Sequence, residues 1–151
     1  MEKGRFQCKS FGELSTPALY AILQLRNEVF VVEQNCVFQD ADNKDQGAYH
    51  LTYEDKNNGQ VLAYCRLLPP GLAYAEMSIG RVVNSPSARG TGVGKTLMNQ
   101  AIAECRRLFG PGPIRIGAQS YLLGFYGSLG FVPEGPEYLE DGIPHTEMVL
   151  R

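Results

Sequence analysis

The sequence predicts a mixed α/β domain, a sheet with helices on its faces. Three observations predict it. Hydrophobic periods of strand and helix type follow one another in the order β-α-β-β-β-α-β-α-β-β. Hairpin signals come first and crossover connections follow, so the sheet is mixed and not a regular βαβ repeat. A chain of 151 residues, 44% hydrophobic and 20% charged, has the size and composition of one domain, residues 1–151, around one core.

Phe6 to Lys9 reads as a short first strand. Thr16-Pro17 reads as the N-cap and first position of a helix, with Leu19, Ile22, Leu23 and Phe30 recurring behind it at helical spacing. Gln39 to Gly47 is polar and acidic and reads as a loop. Tyr49 to Glu54 alternates, Asn57-Asn58-Gly59 signals a hairpin turn, and Val61 to Leu67 is the returning strand. Pro69-Pro70-Gly71 breaks the chain. Leu72 to Val83 fits one long strand with a bulge near Gly80. A helix follows from Val93 to Leu108, with Val93, Leu97, Ala101, Cys105 and Leu108 as its apolar face. Pro111-Gly112-Pro113 ends that unit. Ile114 to Gln119 is a fifth strand, and Tyr121 to Leu129 is a short helix with Leu122, Phe125 and Leu129 turned inward. Gly130 to Val132 and Thr146 to Leu150 are the closing strands.

Composition removes several classes of function. No run approaches the ~18 apolar residues of a membrane span. The start, Met-Glu-Lys-Gly-Arg-Phe, has no apolar stretch of the secretory kind. A net charge of -2 without a basic stripe argues against nucleic acid as a partner. Cys8, Cys36, Cys65 and Cys105 form no C-x-x-C pair, which argues against zinc and against a disulfide framework. Buried thiols in a reducing cytoplasm are the expectation, with Cys36 structural. Asp40, Asp42 and Asp45 invite a calcium reading. The EF-hand pattern fails on Lys44 at its fifth position and on the missing glycine at its sixth. These three are therefore expected to be a solvated acidic loop, and no metal is expected.

The segment Arg89-Gly90-Thr91-Gly92-Val93-Gly94-Lys95-Thr96 lies between a strand pattern and the start of the longest helix. Glycines there leave backbone N–H groups uncovered at the positive end of the helix dipole, which suits a pyrophosphate. Two familiar patterns fail by position. A Walker A loop needs glycine five before Gly94, where Arg89 stands, and no acidic strand end follows in Ile114 to Gly117. The dinucleotide pattern G-x-G-x-x-G meets Lys95 when counted from Gly90 and Leu97 when counted from Gly92.

The pattern that fits is [Arg/Gln]-x-x-Gly-x-[Gly/Ala], at Arg89, Gly92 and Gly94. Here the chain resembles the GNAT superfamily of N-acetyltransferases. Ile79-Gly80-Arg81-Val82-Val83 resembles the family's fourth strand, and Phe125-Tyr126-Gly127-Ser128-Leu129-Gly130-Phe131 its F-Y-x-x-L-G-F segment. Leu25 to Gln34 and Glu140-Asp141-Gly142-Ile143-Pro144-His145 extend the resemblance to the ElaA subgroup. It implies a mostly antiparallel central sheet of six to seven strands, flanked by helices, whose fourth and fifth strands splay apart.

It also implies acetyl-CoA as co-substrate and an amine, small molecule or peptide, as acceptor. Val82 and Val83 would offer backbone groups to the pantetheine arm. The run Gly90, Thr91, Gly92, Val93, Gly94 and Lys95 would hold the pyrophosphate, with Arg89, Lys95 and Thr96 adding charge and a hydroxyl. Tyr126 matches the family's usual general acid toward the departing thiolate. Glu76 stands where several relatives carry a catalytic glutamate. Glu33, His50 and His145 are candidates on the acceptor side, where loops Cys36 to Gly47, Leu68 to Leu72 and Pro133 to His145 would shape the site. A non-catalytic acyl-CoA-binding module and a P-loop domain are the rival readings. An open sheet edge makes homodimerisation an expectation as well.

Overall fold

The structure, a computed structural model, describes residues 4–151. Two four-stranded sheets carry the fold. In the first, β1 (Gly4–Ser10), β2 (Tyr49–Asp55), β3 (Val61–Leu68) and β4 (Ser78–Asn84) run antiparallel in that order. In the second, β5 (Ile114–Gln119) pairs β8 (Ile143–Leu150), which also takes the short strands β6 (Val132–Pro133) and β7 (Tyr138–Glu140). The sheets meet at one parallel bridge, Met77 to Ile114, where the Arg115 N–H donates to the Met77 carbonyl at 3.0 Å. Beyond that bridge β4 and β5 part. The resemblance implied this splaying, and eight strands stand where six to seven were expected.

Among the described residues three α-helices complete the fold. The first, α1 (Thr16–Arg26), is capped by Ser15, whose hydroxyl accepts from the Ala18 N–H at 3.1 Å. The cap is thus one residue earlier than Thr16. A π-helical segment, Asn27–Glu33, continues it. The second, α2 (Val93–Phe109), buries Val93, Leu97, Ala101 and Cys105 of the predicted face against β3 and β4, with Met98 buried beside them and Leu108 half-buried. The third, α3 (Leu123–Ser128), buries Tyr126.

The core is mainly the layer between α2 and the two sheets, with Leu51, Leu67, Leu97, Met98, Ile114 and Met148 at its centre. A second cluster, Ile22, Leu25, Val29, Tyr64 and Val83, fastens α1 and the π-helical segment to the other face of β3 and β4. Among the described residues no helix is long and apolar enough to cross a membrane.

Two sequence expectations fail here. Leu72 to Val83 is not one strand. After Pro69-Pro70-Gly71 the chain makes a turn closed by the Gly71 N–H on the Tyr74 carbonyl at 2.7 Å, and strand pairing in β4 starts at Ser78. The expected bulge near Gly80 is present one residue on. Arg81 and Val82 share the place opposite Cys65, and Arg81 takes φ 50°.

The acidic loop is the second failure. Asp40 and Asp45 are buried, and a cluster of three arginines holds all three aspartates. Arg26, 0% exposed, bonds Asp40 and Asp45 at 2.8 Å each. Arg66 bonds Asp42 at 2.6 Å and Asp45 at 2.9 Å, and Arg81 bonds Asp40 at 2.8 Å. Burial alone would raise the Asp42 and Asp45 carboxyls and discharge the arginines. The mutual hydrogen bonds and opposite charges outweigh it, so both carboxyls lie below their usual range. A loop read as solvated is instead pinned to β3 and β4 by charge.

Candidate active site

Where β4 and β5 part, a cleft of about 580 Å³ opens. One wall is β4 from Ile79 to Asn84. The other is β5 from Ile116 to Gln119, with Tyr121, Leu122, Phe125 and Tyr126 behind it. The π-helical segment contributes Val29, Phe30 and Glu33 to the rim, and the end of β7 and the turn after it contribute Glu140 and Asp141. Two side-chain contacts tie the rim together. Gln34 donates to Gln119 at 3.3 Å, and the Cys36 thiol bonds the Asp141 carbonyl at 3.4 Å.

Of the glycine-rich segment, Arg89 and Gly94 line this cleft, at its α2 end, and Gly90 to Val93, Lys95 and Thr96 do not. Gly90 and Gly92 take φ 79° and 81°, the left-handed region that glycine enters without strain. Gly92 is the N-cap and brings no side chain to it. The first intrahelical bond runs from the Thr96 N–H to the Gly92 carbonyl. The N–H groups of Val93, Gly94 and Lys95 therefore have no partner within the helix. Gly94 sits in a tight place. A Cβ there would lie 3.1 Å from Asn84 Nδ2 and 3.6 Å from the Phe125 ring.

The side chains around the loop are less free than the sequence suggests. Arg89 is clasped by Glu33 across the cleft mouth, with Nη1 donating to Oε2 at 2.6 Å, and a second bond joins Nη2 to Oε1. The pair holds the Glu33 carboxyl below its usual range and the Arg89 guanidinium above its own. Thr96 turns its hydroxyl back onto the Gly92 carbonyl at 3.3 Å, and Thr91 bonds the Ala88 carbonyl. Lys95 points to solvent. The backbone of the segment, more than its side chains, is what remains available to a ligand.

Tyr126 is 6% exposed and lines the cleft. Phe125 and Phe131 meet its ring edge-on at 5.1 and 6.0 Å. Its hydroxyl makes no hydrogen bond to any described residue, and burial pushes its pKa above the usual tyrosine range. It holds its proton at neutral pH. His145, at the foot of β8, lines the cleft from the other side.

Two candidates lie elsewhere. Glu76 precedes β4 and pairs with Arg115, which also holds Glu134 and Glu147 in a surface ion-pair group. It is not among the residues that line the cleft. Alternation of Tyr74, Glu76 and Ser78 imitates a strand face, but the chain is bent there. His50 is 1% exposed inside the first sheet. Its Nδ1 lies 2.7 Å from the Tyr64 hydroxyl and its Nε2 2.9 Å from the Asp45 carbonyl. Burial lowers its pKa, and both nitrogens are occupied by structure.

Sequence reasoning missed Asn84 and the Gln34–Gln119 contact. Asn84 Oδ1 is buried in the cleft wall without a hydrogen-bond partner. An unmet acceptor beside an exposed strand edge fits a ligand that carries amide N–H groups. Among the described residues no group of three His, Cys, Asp or Glu could hold a metal ion.

Known proteins agree with this geometry. The family model described as Acetyltransferase (GNAT) domain matches residues 25–151. Protein ElaA of Escherichia coli strain K12 is 43% identical over 136 residues, which cover 90% of this chain and 89% of that protein. The crystal structure of an acyl-CoA N-acyltransferase from Pseudomonas aeruginosa superposes with a TM-score of 0.91 at 43% identity, over 98% of this chain and 99% of the other. That of Escherichia coli ElaA superposes with a TM-score of 0.90 at 39% identity, over 98% and 99%. On the family match and these relatives, with a splayed sheet and a glycine-lined helix start at its cleft, the chain belongs to the GNAT acetyltransferase family, whose fold serves acyl-CoA-dependent acyl transfer.

Proposed function

We propose that the protein transfers an acetyl group from acetyl-CoA to a primary amine by direct attack of the amine on the thioester. One observation carries this reading. A single cleft joins a helix start whose first N–H groups have no partner in the helix to the hydroxyl of a buried tyrosine, which bonds none of the described residues. The first suits a pyrophosphate. The second suits a proton donor to the departing sulfur.

The residues present fit acetyl-CoA. Asn84 Oδ1 and the unpaired edge of β4 at Val82 and Val83 match the amides of a pantetheine arm. Arg89 reaches an anion by exchanging Glu33 for it. Tyr126 carries a proton throughout the neutral range, so it can meet a thiolate as an acid.

The test is acetyl-CoA turnover read as free thiol across an amine panel of polyamines, aminoglycosides, amino acids and peptide N-termini. Longer acyl-CoA esters run beside it as donors. Release of CoA that depends on one amine class supports the reading. Tight acetyl-CoA binding with no turnover on any amine points instead to a regulatory acyl-CoA-binding module. Magnesium–ATP binding without CoA affinity would sink both.

A further inference from the structure

His145 combines three properties that none of the other ionisable groups on the cleft wall shares. It is 8% exposed, it lines the cleft, and half of its ring is already committed. Nδ1 lies 2.7 Å from the Ile143 carbonyl. A carbonyl only accepts, so Nδ1 carries the hydrogen in this contact. In the neutral ring the lone pair is then on Nε2. Nε2 has no hydrogen-bond partner among the described residues. The Glu140 carboxylate lies beside it, with Oε2 at 3.7 Å, too far for a hydrogen bond. Tyr138 stacks on the imidazole with its centroid 5.8 Å away and the planes at 27°, which sets the ring's orientation.

Resting on the acetyl-transfer reading above, we infer that His145 Nε2 is the base that takes a proton from the amine acceptor. The acceptor arrives as an ammonium, which has no lone pair to attack with. One N–H bond breaks and its proton passes to Nε2, leaving a neutral amine and an imidazolium facing Glu140. The C–N bond forms as the C–S bond breaks. A second proton leaves the nitrogen, and one proton is delivered to sulfur, with Tyr126 giving its phenolic proton and regaining another. The imidazolium returns its proton to solvent through the cleft mouth. Atoms and charge balance: ammonium and thioester give amide, thiol and one released proton.

The other ionisable groups around the ring do not compete for this role. Tyr138 and Tyr74 meet each other beside Gly117, and their hydroxyls are pushed up by burial. Cys36 is bonded to the Asp141 carbonyl, and Glu33 is held by Arg89. Glu140, at the end of β7, and Asp141, on the turn after it, are acidic side chains on the cleft that attract a cationic acceptor toward the ring.

The experiment compares His145→Asn with the parent, using the alkylamine found most active and an arylamine that is already neutral at pH 7. Asparagine keeps an N–H at the place of Nδ1 for the Ile143 carbonyl and removes the basic nitrogen. The expected result is a loss of about 10²-fold or more in kcat/KM for the alkylamine near pH 7, shrinking as pH rises and the free amine appears. The arylamine should keep its rate, and acetyl-CoA affinity should not move. Equal losses for both amines, or an unchanged pH profile for the alkylamine, would overturn the assignment while leaving acetyl transfer standing. A parent protein silent on every amine would overturn the assignment together with the reading beneath it.

Discussion

Removing Arg26 should cost this protein more than any surface charge. Its side chain is 0% exposed and makes three hydrogen bonds: Nε to Asp40 Oδ2 and Nη1 to Asp45 Oδ1 at 2.8 Å each, and Nη2 to the Asp40 carbonyl at 3.1 Å. Deleting one partner of a buried ion pair typically costs about 3–5 kcal/mol, because the other charge stays buried. Two circumstances lower the figure here. Asp40 keeps Arg81 and Asp45 keeps Arg66. The estimate for Arg26→Ala is therefore about 3 kcal/mol. For a chain of this size that corresponds to a fall in melting temperature of about 6–12 °C. Arg26→Met separates charge from packing, since it refills most of the stem's volume, and should lose nearly as much. The assay is thermal and urea unfolding of both variants beside Glu33→Gln, which removes an ion pair on the surface and should leave the midpoint unchanged. A midpoint for Arg26→Ala within about 2 °C of the parent would refute the argument.

Three further outcomes follow from the geometry. Tyr126→Phe should melt with the parent, because its hydroxyl bonds nothing among the described residues, and should lower kcat about 10²-fold or more; unchanged kcat removes the acid role. Glu33→Gln should tighten CoA binding by releasing Arg89 to the pyrophosphate, and an unchanged Kd by calorimetry would mean that Arg89 does not exchange partners. Stability should fall in two stages as pH drops. His50 has a lowered pKa in the fold, so its contribution is full above the unfolded value of about 6.5 and is lost below it; Asp42 and Asp45 are lowered too, and theirs is full above about 4 and lost below. Urea midpoints that stay flat from pH 8 to about 4 would show that His50 is charged inside the fold.

What could be read from the sequence was whatever is encoded locally. β2 and β5 alternate, β3 follows a hairpin turn signal, and α2 repeats its apolar face, so each fell within a residue or so of its place. The glycine segment was legible because backbone geometry favours glycine at Gly90 and Gly92 through φ, and a Cβ at Gly94 would crowd Asn84. β7 was missed although its signal was present. Asp141-Gly142, with φ 53° and 78°, is the two-residue turn of a tight hairpin between Tyr138–Glu140 and Ile143 onward. The arginine–aspartate cluster was not legible at all. Arg81 finds Asp40 across 41 positions, and a helix pattern that scores Arg26 as polar has no means of burying it. The same limit placed Glu76 in a strand and His50 beside the substrate. Pattern assigns a residue to an element, whereas its neighbours across the sheet decide what it does.

The buried cluster and the open cleft are linked through Arg81. β4 can leave β5 only if its backbone is turned, and the bulge at Arg81 does that turning. An arginine at φ 50° sits in a region that costs a non-glycine residue roughly 1–2 kcal/mol. Two hydrogen bonds offset the cost, Nε to the Asp40 carboxylate at 2.8 Å and Nη2 to the Asp40 carbonyl at 3.0 Å. Phe38 lies against the guanidinium at 5.5 Å. Strain and pairing can be separated by two substitutions. Arg81→Ala loses the pairing and keeps the strained backbone, whereas Arg81→Gly loses the same pairing and relieves the strain. The glycine variant should therefore be the more stable of the two by about 1 kcal/mol, or about 2–4 °C in melting temperature, even though glycine is ordinarily the weaker strand residue. An alanine variant that melts at or above the glycine variant would mean that the backbone at position 81 stores no such strain.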